Sequence, residues 1–167
     1  MRLFYALWPP REAAQALGAW AREAAAATGG KGTGEEKIHL TLAFLGEVKP
    51  ERAVTAARCV KADAFELPVD TAKYWRDSHI VWVGPREMPA GLQTLVGRLH
   101  LALYRAEFIL ERRPFAAHVT LVRKARAPKA LPPLPKLDWP VSEFALVRSV
   151  VSGKGSTYED IERFRLD

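Results

Sequence analysis

The chain has few residues of several types, and each shortage excludes some classes of protein or of site. A single cysteine, Cys59, among 167 residues excludes an internal disulfide. One thiol and no evident signal sequence predict a cytoplasmic protein. No apolar run approaches the roughly 18 residues of a membrane span, so we expect no membrane partner. Because Cys59 falls in an apolar helical pattern, it is predicted to fill the core rather than to act as a nucleophile.

Negative charge is also scarce in one part of the chain. Within a net charge of +6, the segment 111–129 contains one acid, Glu111. Its six basic residues are Arg112, Arg113, Arg123, Lys124, Arg126 and Lys129. This basic segment is typical either of a solvated surface or of a site for an anion such as phosphate.

Length and apolar spacing predict one mixed domain over residues 1–167. Helical periodicity covers residues 12–27, a stretch from Pro50 that includes Ala64, and the stretch from Leu92 to Leu103. Strands are predicted at 3–8, 38–45, 66–74, 79–83, 117–123, 144–151 and 158–164. The Gly-rich stretch 29–34 is predicted to be a flexible loop, and the glycines of 152–156 only a turn. The segment 128–140 has too many prolines for a sheet interior.

Histidine is rare too, and two of the four histidines stand in the same short pattern. His39-Leu40-Thr41-Leu42 and His118-Val119-Thr120-Leu121 both read His-x-Thr-apolar. Since side chains alternate between faces along a strand, each His and Thr share one face above a buried apolar face. One such histidine alone is more often structural, but duplication of the pattern favours an active site. His79 and His100 lack the threonine and are predicted to be structural.

Two other uses of these histidines are disfavoured. A zinc site takes three or four Cys, His or carboxylate ligands, and neither motif carries a second ligand at short spacing. A Gly-x-Ser-x-Gly nucleophile motif is absent. We therefore expect no metal and no cofactor. Histidine, whose unperturbed pKa is about 6.5, instead suits proton transfer to and from a phosphate ester, whose oxygens the threonine hydroxyls would hold.

The two motif regions resemble a known family. Residues 39–46 (HLTLAFLG) and 113–124 (RPFAAHVTLVRK) are similar to the two signatures of the two-histidine (2H) phosphoesterases. The opening strand RLFYAL and the closing strand at Tyr158 fall in the expected order. Within the superfamily, the chain is most similar to the bacterial and archaeal RNA 2′,3′-cyclic phosphodiesterases, also called 2′-5′ RNA ligases.

The resemblance implies both a fold and a mechanism. The fold would be α+β and bilobal, with a pseudo-twofold arrangement of two antiparallel sheets and outer helices around a central cleft. Each lobe would contribute one motif. His39 would be the proton donor and His118 the proton acceptor, with Thr41 and Thr120 holding the phosphate. RNA with a 2′,3′-cyclic phosphate end, for example a tRNA-like fragment, would be hydrolysed to a 2′-phosphomonoester, and the reverse reaction would join ends without ATP. We expect a monomer.

Two alternatives remain open at this point. One keeps the site but acts on a small cyclic phosphate, such as a nucleotide or an ADP-ribose derivative. The other is an RNA-end-binding module without turnover, which the basic segment and five tryptophans would support. However, Trp20 fits a helix core, and Trp75 and Trp82 fall in strand patterns that favour core packing.

The two motifs have different neighbourhoods. The first follows a nearly neutral Gly-rich stretch, whereas the second lies in the basic segment, where Arg123 is expected to bind substrate. We therefore expect RNA to lie mainly along the His118 side. Arg123 and Lys124 should contribute more to binding than Lys31 and Lys37.

Overall fold

The computed structural model describes residues 1–167 and contains three α-helices and ten β-strands. The helices are α1 (Arg11–Thr28), α2 (Pro50–Arg58) and α3 (Ala90–Arg105). The strands are β1 (Arg2–Leu7), β2 (Lys31–Gly32), β3 (Leu40–Glu47), β4 (Phe65–Glu66), β5 (Thr71–Trp75), β6 (Ile80–Gly84), β7 (Val119–Arg123), β8 (Pro140–Val141), β9 (Glu143–Ser152) and β10 (Gly155–Arg165). None of the helices is long and apolar enough to cross a bilayer.

Two four-stranded antiparallel sheets form the framework, which confirms the predicted α+β class. The first sheet has the order β10-β9-β1-β3, and the second has the order β2-β7-β6-β5. A separate pair joins β4 to β8, where the proline-rich segment ends. The two motif strands are β3, at an edge of the first sheet, and β7, inside the second. These two strands approach each other across the junction between the sheets.

Each helix that precedes a motif strand packs on the opposite sheet. Helix α1 lies in the chain between β1 and β3, which are both in the first sheet, yet it packs against β2 and β7 of the second sheet. Helix α3 connects β6 to β7, yet it packs against β3 and α2. The halves of the chain therefore exchange helices. One apolar core results, and it contains residues of both sheets such as Leu3, Leu42, Val81 and Leu121.

A buried tyrosine links the first sheet to its helices. Tyr5 on β1 is fully buried, and its hydroxyl donates a hydrogen bond to the Ala53 carbonyl oxygen at 2.6 Å. Burial raises the pKa of this phenol, so it stays a donor. Without that acceptor, the buried hydroxyl would carry a desolvation cost.

Helix α1 ends where a glycine is required. Leu17, Trp20 and Ala24 form its buried face, as the periodicity predicts. At the C-terminus, Gly29 adopts a left-handed φ of 72°, and its N–H donates to the Ala25 carbonyl at 2.8 Å. Glycine reaches this conformation without a Cβ penalty. The turn directs the chain back toward the second sheet.

The prediction of a flexible loop over residues 29–34 is wrong. Lys31 and Gly32 form β2, which pairs with Arg123 and Val122 of β7. A Cβ on Gly30 would lie 2.5 Å from Val122 Cγ1 and 2.6 Å from the Arg123 carbonyl oxygen. The glycine is therefore there because the chain passes very close to β7, and not because the segment needs to be flexible.

Two predictions about α2 are also wrong. The helix ends at Arg58, before Ala64, and Cys59 is exposed. The buried face of the helix comprises Ala53, Ala56 and Ala57. Cys59 follows the last residue of the helix and is exposed, and its thiol bonds only the Thr55 carbonyl.

Replacing Gly30 by alanine tests the close approach of β2 to β7. We expect Gly30→Ala to lower the free energy of unfolding by about 1–3 kcal/mol, because backbone atoms of β7 would have to move. Gly97→Ala is the matched control: Gly97 lies in α3, and a Cβ there would have no atom within 4 Å. Alanine at this position should stabilise the protein by about 0.5–1 kcal/mol. Denaturant unfolding measures both; equal changes would contradict the packing argument.

Candidate active site

A backbone carbonyl orients His39 at the start of the first motif strand. Its Nδ1 donates a hydrogen bond to the Lys37 carbonyl oxygen at 2.7 Å. In the neutral ring, Nε2 therefore carries the lone pair, and it accepts from the Thr41 hydroxyl at 3.0 Å. The alternation of the strand thus places His39 and Thr41 on one face, as the motif predicts.

The second motif repeats the contact with a backbone carbonyl, but not the hydrogen bond to the threonine. His118 immediately precedes β7, and its Nδ1 donates to the Ala116 carbonyl oxygen at 2.8 Å. Again the carbonyl belongs to the residue two positions earlier. Both imidazoles therefore share a tautomer that leaves Nε2 available for proton transfer.

Three aromatic rings enclose His39. The ring centroids of Phe4, Trp8 and Tyr158 lie 5.1, 5.5 and 5.4 Å from that of His39. Trp8 is held in turn by Asp160, whose carboxylate accepts from its indole N–H at 2.9 Å. The enclosure shields the imidazole from water on the side of the first sheet.

Burial lowers the pKa of His39, and this desolvation is the largest influence on it. The hydrogen bond to the Lys37 carbonyl acts in the opposite direction and favours the charged ring. The positive charges of Arg123 and His118 lower the pKa further. In the unliganded protein, His39 is thus biased toward the neutral form.

His118 lies against two tryptophans of the second sheet. Its ring centroid is 4.7 Å from that of Trp75 and 6.3 Å from that of Trp82. Both tryptophans are half-buried. The prediction that they serve core packing is therefore wrong, because β5 and β6 turn these rings toward the motif; Trp20, by contrast, is buried as expected.

One cavity of about 580 Å³ contains both histidines. It is lined by all five residues singled out from the sequence, namely His39, Thr41, His118, Thr120 and Arg123. Lys31, Lys37 and Lys154 add positive charge, against one acid, Glu36. We call this cavity the cationic arm of the cleft. Its charge suits an anionic, phosphate-containing ligand.

The structure places several charged residues differently from what their order in the sequence indicates. The order of the sequence groups Lys31 with the first motif, but β2 pairs it with Arg123, so both belong to the second sheet. The loop 152–156 does more than turn the chain, because Lys154, Gly155 and Ser156 border the cationic arm. Lys124 is exposed and does not line it. The charge of the cleft therefore comes from segments far apart in sequence.

A second cavity of about 390 Å³ adjoins the first. It shares Thr41, Ile80 and His118 with the cationic arm. Its remaining lining includes the aromatic side chains of Phe44, Trp75 and Phe115, and His100. We call it the apolar arm. His100 is structural, as predicted, since its Nε2 bonds the Leu42 carbonyl at 2.9 Å, but it also forms part of the cleft wall.

Sequence reasoning missed several cleft residues. The pattern places Trp8 only in a strand, and Tyr158 only in the order of segments. Trp8 follows β1, whereas Tyr158 lies in β10, and the pairing of both strands with β9 brings them to His39. The sequence pattern also did not predict that the carbonyls of Lys37 and Ala116 would orient the two imidazoles. No group of three or more His, Cys, Asp or Glu side chains is placed to hold a metal ion.

Comparisons with known proteins agree with this geometry. A family model described as LigT-like phosphoesterase matches residues 7–82, which contain the first motif. The RNA 2′,3′-cyclic phosphodiesterase of Escherichia coli K12 is 33% identical, over 99% of this chain and 96% of its own length. The chain belongs to this phosphoesterase family. The RNA 2′,3′-cyclic phosphodiesterase of Thermus thermophilus is also 33% identical, over 99% of this chain and 90% of its own length.

Comparison with solved structures also supports the LigT-like family assignment. The crystal structure of E. coli LigT complexed with 3′-AMP superimposes with a TM-score of 0.90 at 32% identity. The match covers 99% of this chain and 97% of that one. The resemblance drawn from residues 39–46 and 113–124 is confirmed, and it extends over the whole chain.

Replacing Arg123 tests the charge environment of His39. We expect His39 to titrate below the ordinary pKa of histidine, and Arg123→Gln to raise its pKa because a nearby positive charge is removed. Ring-proton NMR titration of the two proteins measures the midpoint. Lys129→Gln removes a charge from the same basic segment outside the cleft and should leave the midpoint in place. An equal rise in both variants would contradict a local effect of Arg123.

Proposed function

We propose that the chain hydrolyses the 2′,3′-cyclic phosphate end of RNA to a 2′-phosphomonoester without a metal ion. The observation that carries this proposal is the matched pair of imidazoles at one cationic cavity. Each has its Nδ1 proton engaged by a carbonyl, so Nε2 is the nitrogen that can take or give a proton; in the empty site the Nε2 of His39 accepts from the Thr41 hydroxyl. A simple RNA-binding surface has no need of that duplicated arrangement.

The residues divide the chemistry as follows. His118 Nε2 takes a proton from water as the water oxygen attacks phosphorus. The bond from phosphorus to the 3′ oxygen breaks, and His39 Nε2 donates a proton to that oxygen. Each transfer accelerates such a reaction by about 10²–10⁴-fold. Once His39 is protonated, its Nε2 no longer accepts from the Thr41 hydroxyl, so Thr41 as well as Thr120 can donate a hydrogen bond to a non-bridging oxygen. Arg123 balances the negative charge of these oxygens.

The low pKa of His39 fits a proton donor that becomes charged when substrate binds. Burial and Arg123 favour the neutral ring in the empty site. A bound phosphodiester brings a negative charge beside both groups, so it opposes the effect of Arg123 and raises the pKa of His39. The donor is thus protonated mainly in the complex, where its proton is needed.

The positive charge of the cationic arm supports RNA as the substrate. Lys31, Lys37, Arg123 and Lys154 surround the histidines, and a cyclic-phosphate end attached to a strand presents further phosphates. All these residues belong to one chain, so a monomer carries a complete site. We propose that it acts in the cytoplasm. A small cyclic phosphate would use the histidines but few of the lysines.

Histidine variants test the reaction. With a 2′,3′-cyclic-phosphate-ended oligonucleotide in EDTA, we expect the wild type to yield a 2′-phosphomonoester by phosphorus NMR. His39→Ala and His118→Ala should each lower kcat/KM by about 10²–10⁴-fold, since each removes one proton-transfer group. His79→Asn is the control: His79 is exposed outside both arms, and asparagine tolerates its left-handed φ of 55°.

Three results would contradict the proposal. An unchanged substrate with the wild type in EDTA would remove the metal-independent reaction. A 3′-phosphate product would show that the 2′ oxygen leaves instead. Salt-sensitive binding without turnover, equal in wild type and both histidine variants, would identify an RNA-end-binding module.

A further inference from the structure

A groove between α2 and α3 lies outside the cleft. Its volume is about 880 Å³, which exceeds that of either arm, and it shares no lining residue with them. Each of the two segments presents a stripe with the helical spacing i, i+3, i+4 and i+7 to this groove. The stripes are Arg52, Thr55, Ala56 and Cys59 on the α2 side and Arg98, Leu101, Ala102 and Arg105 on α3. We call this surface the helical groove.

The floor of the helical groove is aliphatic. Ala56 and Val60 form its buried part, whereas Leu101 is 47% exposed and has no covering side chain. Ala56 and Ala102 are the small residues at the middle of the two stripes, so the space between the helices stays open there. A partner would gain free energy by covering this aliphatic surface. No aromatic side chain lines the groove, so it offers no ring on which a nucleobase would stack.

One end of the groove holds an arginine that the fold has already oriented. The Arg52 guanidinium donates a hydrogen bond to the Ala106 carbonyl oxygen at 2.6 Å and lies 4.8 Å from the centroid of the Phe108 ring. Arg105, the residue before Ala106, lines the same end and is exposed. Two positive charges therefore stand together here, one fixed and one mobile.

The opposite end repeats this combination. Arg98 donates to the Lys61 carbonyl oxygen at 2.5 Å, and the exposed Lys61 side chain lines the groove beside it. None of the four cations forms an ion pair with a carboxylate of the chain, although Glu51 also lines the groove. Because the two arginines are held by carbonyls before anything binds, less side-chain entropy is lost when an anion pairs with them.

We infer that the helical groove binds an acidic amphipathic helix of another protein. Its apolar stripe would cover Leu101, and its carboxylates would pair with the cations at the two ends. Arg98 and Arg105 lie seven residues apart, about 10 Å along the axis of α3, so carboxylates two turns apart on the partner reach both ends. Grooves of this kind recognise side chains at i, i+3, i+4 and i+7 of the bound helix. The inference goes beyond the proposed function and does not depend on it.

Two other anionic partners fit the groove less well. A fatty-acid anion carries one charged group, so it would leave the cations at one end without a partner. An RNA strand would pair with the cations but would leave the aliphatic floor facing phosphates and water, with no ring for its bases. A helix with a central apolar stripe and acids at both ends satisfies the floor and both ends together.

Cys59 allows occupancy of the groove to be measured. It is the only thiol, it is exposed, and it lines the groove. The probe is a fluorescent alanine-rich peptide of about 18 residues, long enough to form an isolated helix, with glutamates at i and i+7 and leucines at i+3 and i+4. We expect saturable binding in fluorescence anisotropy at concentrations below about 1 mM. At a peptide concentration of twice the Kd, the reaction of Cys59 with iodoacetamide should slow by about threefold.

Paired variants test which residues bind the peptide. Lys61→Gln combined with Arg105→Gln removes one mobile cation from each end and should weaken binding by about three- to tenfold. Arg22→Gln combined with Lys129→Gln is the control, because it removes the same charge from exposed positions outside the groove and the cleft.

The aliphatic contact has its own pair of variants. Leu101→Gln should weaken binding by about tenfold, because the apolar stripe of the peptide loses its main contact. Ile109→Gln should have no effect, since Ile109 is 94% exposed and lies outside the groove.

Several results would overturn the inference. These are no saturable binding, binding that leaves the reaction rate of Cys59 unchanged, and equal weakening by the groove variants and their controls. Stronger protection of Cys59 by phosphatidylglycerol vesicles or by an oligouridylate would assign the groove to a lipid or to RNA instead. Protection that rises with protein concentration alone would assign it to a second copy of the chain. Hydrolysis of the cyclic phosphate, measured separately, should persist in all four variants, so failure of the proposed function would be recognised independently.

Discussion

Burial of each motif-preceding helix against the opposite sheet is the constraint on which the cleft depends. Because α1 packs on β2 and β7 while α3 packs on β3 and α2, the two sheets share one apolar core. Separating them would expose side chains from both, and burial of apolar surface is the main stabilising contribution in a domain of this size. Strands β3 and β7, which follow His39 and His118, are therefore held together, as the proposed proton transfer on both sides of one phosphorus requires.

Within that framework, the two imidazoles have the same tautomer but different surroundings. A carbonyl two residues earlier sets the tautomer of each ring. His39 is then enclosed by aromatic side chains, which lowers its pKa, whereas His118 opens onto both arms. The motif is duplicated, but the surroundings of its copies differ: the first imidazole is shielded by aromatic rings, and the second lines both arms of the cleft.

The charged residues of the cleft are brought together by the folding of distant segments and not by proximity in the sequence. Lys31, just after α1, lies beside Arg123 because β2 pairs with β7. Lys154 arrives from the β9–β10 hairpin. The division into a cationic and an apolar arm therefore appears only when segments from the beginning, middle and end of the chain are assembled, and no single run of residues carries it.

The sequence by itself determined the α+β class, the three helices and the pairing of each His with its Thr, since periodicity and strand alternation are local properties. It also identified five of the residues that line the cationic arm, namely His39, Thr41, His118, Thr120 and Arg123. It did not place Trp8 and Tyr158 around His39, orient Trp75 and Trp82 toward His118, or expose Cys59. Those outcomes depend on the order of strands in the sheets, on the packing of each helix against the opposite sheet, and on where each helix ends. All three arise from long-range packing, which local patterns do not encode.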